Sequence, residues 1–196
     1  MRNAFMIVAL TAMVLAGCSQ KRSNDAARRK AATIKDPTVY ARIESTGNDS
    51  ISVALLADSS LITVGVANAA EHKAIAGELT LGDTLAMVLD DGGRSMVAGV
   101  NVSQLVGLWL CDDGSGNGLR LAPDGAASSV GTGKLTLRTW RIANGRLVLT
   151  YIMPDGTDYT EKPARTRIVL LASDSLRIEV NDTVMGYTRS SGLLTI

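Results

Sequence analysis

From position 36 onward the chain alternates short apolar and polar runs broken by turn-forming residues, the texture of consecutive strands. "TVYARIES" and "SISVALLA" flank the turn cluster Thr46-Gly47-Asn48-Asp49, and "LITVGV" follows Asp58-Ser59-Ser60. "ANAAEHKAIAGEL", rich in Ala and Glu, is the helical-looking stretch of this region. "LGDTLAMVLDD" and "SMVAGVNVSQLV", separated by Gly92-Gly93, read as two more strands. From about Gln104 eight further strands are predicted, near 105–111, 117–122, 126–131, 134–142, 146–153, 164–172, 175–180 and 183–190. They are joined at Asp124-Gly125, Asn144-Gly145, Asp155-Gly156, Ser173-Asp174 and Asn181-Asp182. Asn-Gly and Asp-Gly accept the positive φ of tight hairpins. Leu176-Arg177-Ile178-Glu179-Val180 alternates strictly, as a half-buried strand does.

Three strands, a helix and two strands is the order of an OB-like five-stranded barrel, and a run of hairpins makes an up-and-down barrel. The expected fold class is therefore all-β, with an OB-like domain at 36–103 and an eight-stranded barrel at 104–196. OB barrels that bind single-stranded nucleic acid use exposed aromatics. Residues 36–103 hold one aromatic, Tyr40, so the first domain reads as a structural or protein-contact module.

The first residues have a different pattern. Arg2 precedes an apolar run, Ala4 to Leu15, that is too short to span a bilayer. Leu15-Ala16-Gly17-Cys18 follows and resembles the lipobox of bacterial lipoproteins at every position. The resemblance implies a signal peptide over 1–17, and lipidation of Cys18 by a thioether-linked diacylglyceryl group and an N-acyl chain. Each buried CH₂ of such chains adds about 0.8 kcal/mol, which makes the anchor effectively permanent. Residues 18–35 read as a flexible tether. They carry Lys21, Arg22, Arg28, Arg29, Lys30 and Lys35 against Asp25, either a solvated spacer or a contact for anionic headgroups. Ser19 with no acidic run after it, by analogy with lipoprotein sorting, implies an outer-membrane anchor facing the periplasm.

The formal net charge of +1 conceals an asymmetry: the part from residue 36 on holds 13 basic against 18 acidic residues. A mildly acidic domain excludes nucleic acid as the expected partner. With Cys18 lipidated, Cys111 is left without a disulfide partner, and stability must come from apolar cores.

"LVGLWL", "LRLAPDGAASS", "LRTWRIANGRLVLT", "SDSLRIEV" and "GYTR", in this order, resemble the lipocalin-like domain of lipoproteins from Bacteroidetes-type bacteria, over roughly residues 104–190. Gly107-Leu108-Trp109 is similar to the G-x-W of the first lipocalin strand. The resemblance implies that Trp109 plugs one barrel end and that Arg189 packs over its face. The OB-like segment resembles, less distinctly, the first domain of such proteins. If Trp109 points inward, Cys111 shares its parity, while Val106, Leu108 and Leu110 face outward and need a cover, for which the first domain is the candidate.

Catalytic chemistry finds little footing. His72, the single histidine, falls in the Ala-rich segment and reads as a satisfied or exposed helix residue. Asp90-Asp91 and Asp112-Asp113 precede glycines and read as turn formers. Cys111-Asp112-Asp113-Gly114 lacks the second cysteine of the paired motif that some related envelope barrels carry. Asp113, Ser115, Asn117, Gly118 and Asp124 fit the spacing of a calcium loop. No helix flanks them, however, position twelve is Asp, and Leu119-Arg120-Leu121 alternates as a strand. No metal, cofactor or reaction is expected. The sequence points to a non-enzymatic, membrane-anchored protein that binds a small apolar molecule or an envelope component. The alternative is an interaction lipoprotein whose filled barrel docks a protein. An eight-stranded barrel is wide enough either to fill itself or to hold one ligand.

Overall fold

The structure is a computed structural model that describes residues 36–132, 136–155 and 158–191. Cys18, the signal segment and the tether lie outside the described residues. Residues Asp36–Ile196 make up one compact unit.

The chain first forms a six-stranded sheet: β1 (Val39–Thr46), β2 (Ser50–Leu55), β3 (Leu61–Gly65), β4 (Ile75–Ala76), β5 (Thr84–Leu89) and β6 (Met96–Asn101), in spatial order β3-β2-β1-β5-β6-β4. A parallel bridge between Gly65 and Ser95 brings β3 back towards β6. Helix α1 (Ala67–Glu71) is shorter than the Ala-rich stretch suggested. Lys73 takes a left-handed φ of 51° and ends it, which frees Ile75 and Ala76 to pair in parallel with Gly99 and Val100. Pairing with an existing sheet outweighs the modest helix propensity of the segment. The sheet covers a core of Ala41, Ile43, Ile51, Val53, Val64, Leu85, Met87 and Met96, alternate positions of the strands.

A second sheet follows: β7 (Gly107–Cys111), β8 (Gly118–Leu121), β9 (Ala127–Val130), β10 (Thr136–Ala143), β11 (Arg146–Asp155), β12 (Asp158–Leu171), β13 (Ser175–Val180) and β14 (Thr183–Arg189). Its order is β10-β11-β12-β13-β14-β7-β8-β9, with every neighbour antiparallel. The outer strands β9 and β10 approach through a bridge between Ala126 and Thr139 and a bond from Leu137 N to Ser129 Oγ. The result is the expected eight-stranded antiparallel barrel, nearly closed. Asn144 and Gly145 both take positive φ, as do Asn181 and Asp182, so these two-residue turns have the twist that hairpins require.

Three local features depart from the sequence pattern. Strand β12 starts six residues earlier than predicted, because the polar "DYTEKP" segment pairs with β11 across Thr150↔Pro163 and beyond. β13 joins β12 only from Arg167, so Pro163 lies on a stretch with one partner strand, where a missing N–H is tolerated. Helix α2 (Val102–Leu105) interrupts what read as a continuous apolar strand. It is capped by Asn101, whose Oδ1 accepts from Gln104 N at 2.9 Å. Val106, expected to face outward, packs against the main core, because it lies in the connection between α2 and β7 and escapes the strand's alternation.

The sheet and the barrel share that core: Ala86, Val100 and Leu105 cluster with Trp109, Leu147 and Leu171. The polar part of the contact runs along the β10–β11 hairpin. Tyr40 Oη donates to Ile142 O and accepts from Ile142 N, at 3.0 and 3.2 Å. Asp36 takes Arg141 Nη1 at 2.8 Å and the Asn144 N–H at 3.2 Å. Burial opposes ionisation of Asp36, but hydrogen bonds from Thr38, Asn144 and Arg141 outweigh it and hold the carboxyl below its ordinary range. A lowered folded-state pKa gives stability that is present above the unfolded-state value and is lost as pH falls through the folded one. Asp36→Asn is expected to cost under about 1 kcal/mol at neutral pH, since the pair is partly exposed. The difference from wild type should close only as pH falls below the ordinary carboxylate range. Urea melts at neutral and acid pH check this, and an undiminished difference in acid would exclude the carboxylate as its source.

Candidate functional site

Two β-bulges set which side chains enter the barrel. The register shifts between Leu137 and Thr139 in β10 and between Ile168 and Leu170 in β12. After each bulge the inward parity changes, so Leu137, Trp140 and Ile142 all reach the interior, as do Ile168 and Leu171.

One end of the barrel is sealed. Trp109 is fully buried and donates its indole N–H to Leu105 O at 2.9 Å. Arg189 lies across the ring, with its Cζ 4.2 Å from the centroid. The guanidinium is fixed from behind: Nε donates to Ser173 O at 2.6 Å, Nη1 to Val106 O at 2.9 Å, and Nη2 to Gln104 O. Gly107 has a φ of 151°, and a Cβ there would collide with Arg189 Nη1. The glycine two positions before Trp109 is thus a close-approach residue, imposed by the cation that covers the indole. Leu121, Ile142, Leu147, Leu171 and Leu176 fill the layer around Trp109.

The opposite half is hollow. A cavity of about 640 Å³ opens at this end. Leu119, Leu137, Leu149, Ile178 and Val180 form its apolar wall, while Cys111, Ser129 and Ala164 leave the space by being small. Strands that carry bulky residues one layer down carry these small ones above, which is why the plug and the cavity coexist in one barrel. Thr166 is buried, but its hydroxyl is spent on Leu147 O at 3.1 Å. Two further hollows, of about 670 and 800 Å³, lie along the seam between sheet and barrel. They are lined by residues from both halves, including Tyr40 and Trp140 in one and Ile75 and Arg146 in the other.

Cys111 and Tyr187 are register partners across β7 and β14, and both line the cavity. Burial first, then the charge of Asp113, raises the Cys111 thiol above its ordinary range. Burial, with Cys111 and Asp113 nearby, pushes the Tyr187 phenol up to about 12. Both groups are therefore protonated at neutral pH. Nothing in the sequence singled out Tyr187. Its role depends on a pairing between residues far apart in the chain, and a "GYTR" ending carries no sign of it.

The other candidates do not converge. His72 is exposed at the end of α1, with its Nδ1 2.8 Å from Asn68 O. Asp90 accepts from the Arg94 and Ser95 amides within its own turn. Asp112 takes the Thr188 hydroxyl at 2.7 Å, whereas Asp113 turns back to the Ser115 N–H at 2.9 Å. In the calcium-like spacing, Asn117 Oδ1 serves the Thr132 N–H and Asp124 serves the Ala126 N–H. Strand β8 separates Asp113 from Asp124, and its four residues span about 13 Å. No metal-holding group of His, Cys, Asp and Glu occurs among the described residues.

Residues 101–190, a little under half of the chain, match the family described as lipocalin-like. The crystal structure of a lipocalin-like protein from Bacteroides thetaiotaomicron VPI-5482 is similar over 44% of this chain and 97% of that one, with 24% identity and a TM-score of 0.40. No curated protein matches the chain. The family match and the eight-stranded antiparallel barrel agree: the C-terminal region has the fold expected of a lipocalin-like domain.

Proposed function

We propose that this chain is a lipid-anchored envelope protein whose lipocalin-like domain binds a small apolar molecule in the open half of its barrel. The observation that carries the reading is the cavity of about 640 Å³ with its mostly apolar wall. Ligand pockets are hollows of this size, largely apolar, with a few placed polar groups. A filled barrel serving as a docking scaffold would have needed bulky residues where Cys111, Ser129 and Ala164 stand. Anchoring rests on Leu15-Ala16-Gly17-Cys18, and the outer membrane facing the periplasm is the location that Ser19 supports. The reading is non-enzymatic: the Cys111 thiol and Tyr187 phenol on the cavity wall are neutral donors at neutral pH, suited to holding a molecule in place.

Mass spectrometry tests both halves. Native spectra of soluble protein beginning at residue 19 should show a co-purified adduct that denaturation releases. Intact protein from membranes should carry the acyl mass on Cys18. Ligand-free preparations that also fail to take up lipophilic probes would end the binding reading, and an unacylated Cys18 would end the anchoring one.

A further inference from the structure

The wall of the cavity is apolar, but its polar hydrogens are unevenly spent. Thr166 has given its hydroxyl hydrogen to a backbone carbonyl, and Asn117 uses its side-chain oxygen on Thr132 N. Tyr187 differs. It is 6% exposed, and among the described residues its hydroxyl has one hydrogen-bond contact, the Met185 sulfur at 3.7 Å. A thioether is a weak acceptor. A buried phenol that faces a hollow with its donor capacity nearly intact is an incomplete arrangement, since buried polar groups are normally paired. Its cross-strand neighbour Cys111 adds a second, weaker donor on the same wall.

The surrounding charge narrows what can complete it. Asp112 and Asp113 sit in the loop that follows Cys111, and Asp113 acts on both the Cys111 thiol and the Tyr187 phenol. A carboxylate placed against the Tyr187 hydroxyl would meet that field with like charge inside an apolar enclosure, where burial of a charge is costly. Arg165 stands at the rim and is exposed, so a negative head at the hydroxyl would lack a buried counter-ion.

We propose that the barrel takes an uncharged apolar molecule bearing an oxygen acceptor, a ketone, ester or ether, that accepts a hydrogen bond from the Tyr187 hydroxyl. This rests on the reading of the cavity as a ligand site and adds the class of ligand to it. A strong acceptor is what the Tyr187 hydroxyl lacks. The apolar wall takes the rest of the molecule.

The test uses probes of known chemistry on the chain beginning at residue 19, which retains the whole compact unit from Asp36 onward. Fluorescence titrations compare the naphthalene ketone prodan, the hydrocarbon diphenylhexatriene, and parinaric acid against its methyl ester. Tyr187→Phe keeps the ring and removes the hydroxyl, so melting should be little changed. It should weaken prodan about five- to tenfold, the worth of one hydrogen bond, and shift the bound emission to the blue. Diphenylhexatriene should bind both forms alike, and the ester should bind wild type more tightly than the acid. Met185→Leu, which removes the competing sulfur, should hold or raise prodan affinity. If wild type takes the hydrocarbon but Tyr187→Phe leaves prodan unaffected, or if the acid outbinds its ester, the ligand class is wrong and the cavity reading stands. If wild type takes none of the probes, the cavity reading itself falls.

Discussion

Replacing Trp109 by alanine is expected to cost about 3–5 kcal/mol, the range for deleting a fully buried large aromatic. For a folded unit of this length that is a fall in melting temperature of about 10–15 °C. The ring is the middle of a stack. Leu105 O receives its N–H, and Arg189 lies over its face with three carbonyls behind the guanidinium. Alanine leaves a cavity and a cation without its π surface, and the neighbours cannot collapse into the space because Gly107 and the α2 connection are held by the same arginine. Trp109→Phe separates the contributions, since it retains most of the packing and loses the indole N–H. About 1–2 kcal/mol is expected there. Chemical denaturation of the three proteins checks the order. An alanine variant as stable as the phenylalanine one would mean that the stack contributes nothing beyond a hydrogen bond.

The second large effect is expected at Asn101, a residue with no exposed surface. Its Oδ1 caps α2, and its Nδ2 donates to Glu78 O at 2.6 Å and to Asp83 Oδ2 at 2.7 Å. One side chain thus ties the end of β6, the start of the barrel and the loop before β5. Asn101→Ala removes the cap, worth about 1 kcal/mol, and leaves a carbonyl and a carboxylate without their donor, each about 1–3 kcal/mol when buried. A total near 3 kcal/mol is expected, allowing for hydration of Asp83. Asn101→Asp keeps a capping oxygen but sets a second carboxylate against Asp83, so at neutral pH it should be no better than alanine and should recover as pH falls. A fully stable Asn101→Asp at neutral pH would remove the argument.

What the sequence disclosed follows how local each feature is. Asn144-Gly145 and Asn181-Asp182 announced their turns because positive φ is a property of single residues, and β13 was legible from its own alternation. The eight-strand count came from the same short-range marks. The early start of β12 was hidden by "TEKP", since charged residues and a proline are acceptable on a strand with one partner and nothing local states that condition. Helix α2 hid inside an apolar run, where four residues cannot establish a period. Leu137 and Trp140 point the same way only because a bulge lies between them, so strict alternation misplaces one of the two. The cavity was the least legible feature. It is the space left where Cys111, Ser129 and Ala164 meet from three strands, and no stretch of the chain contains that meeting.

Asp36, bound to Arg141 and Asn144, brings the chain into the folded unit beside the β10–β11 turn, which belongs to the same barrel end as Trp109. The cavity opens at the other end, near Asn117, Asn181 and Met185. On the proposed anchoring, the leash from Cys18 therefore attaches to the blind end, and the mouth lies a barrel's length from the point of attachment. The point of attachment thus leaves the mouth unobstructed.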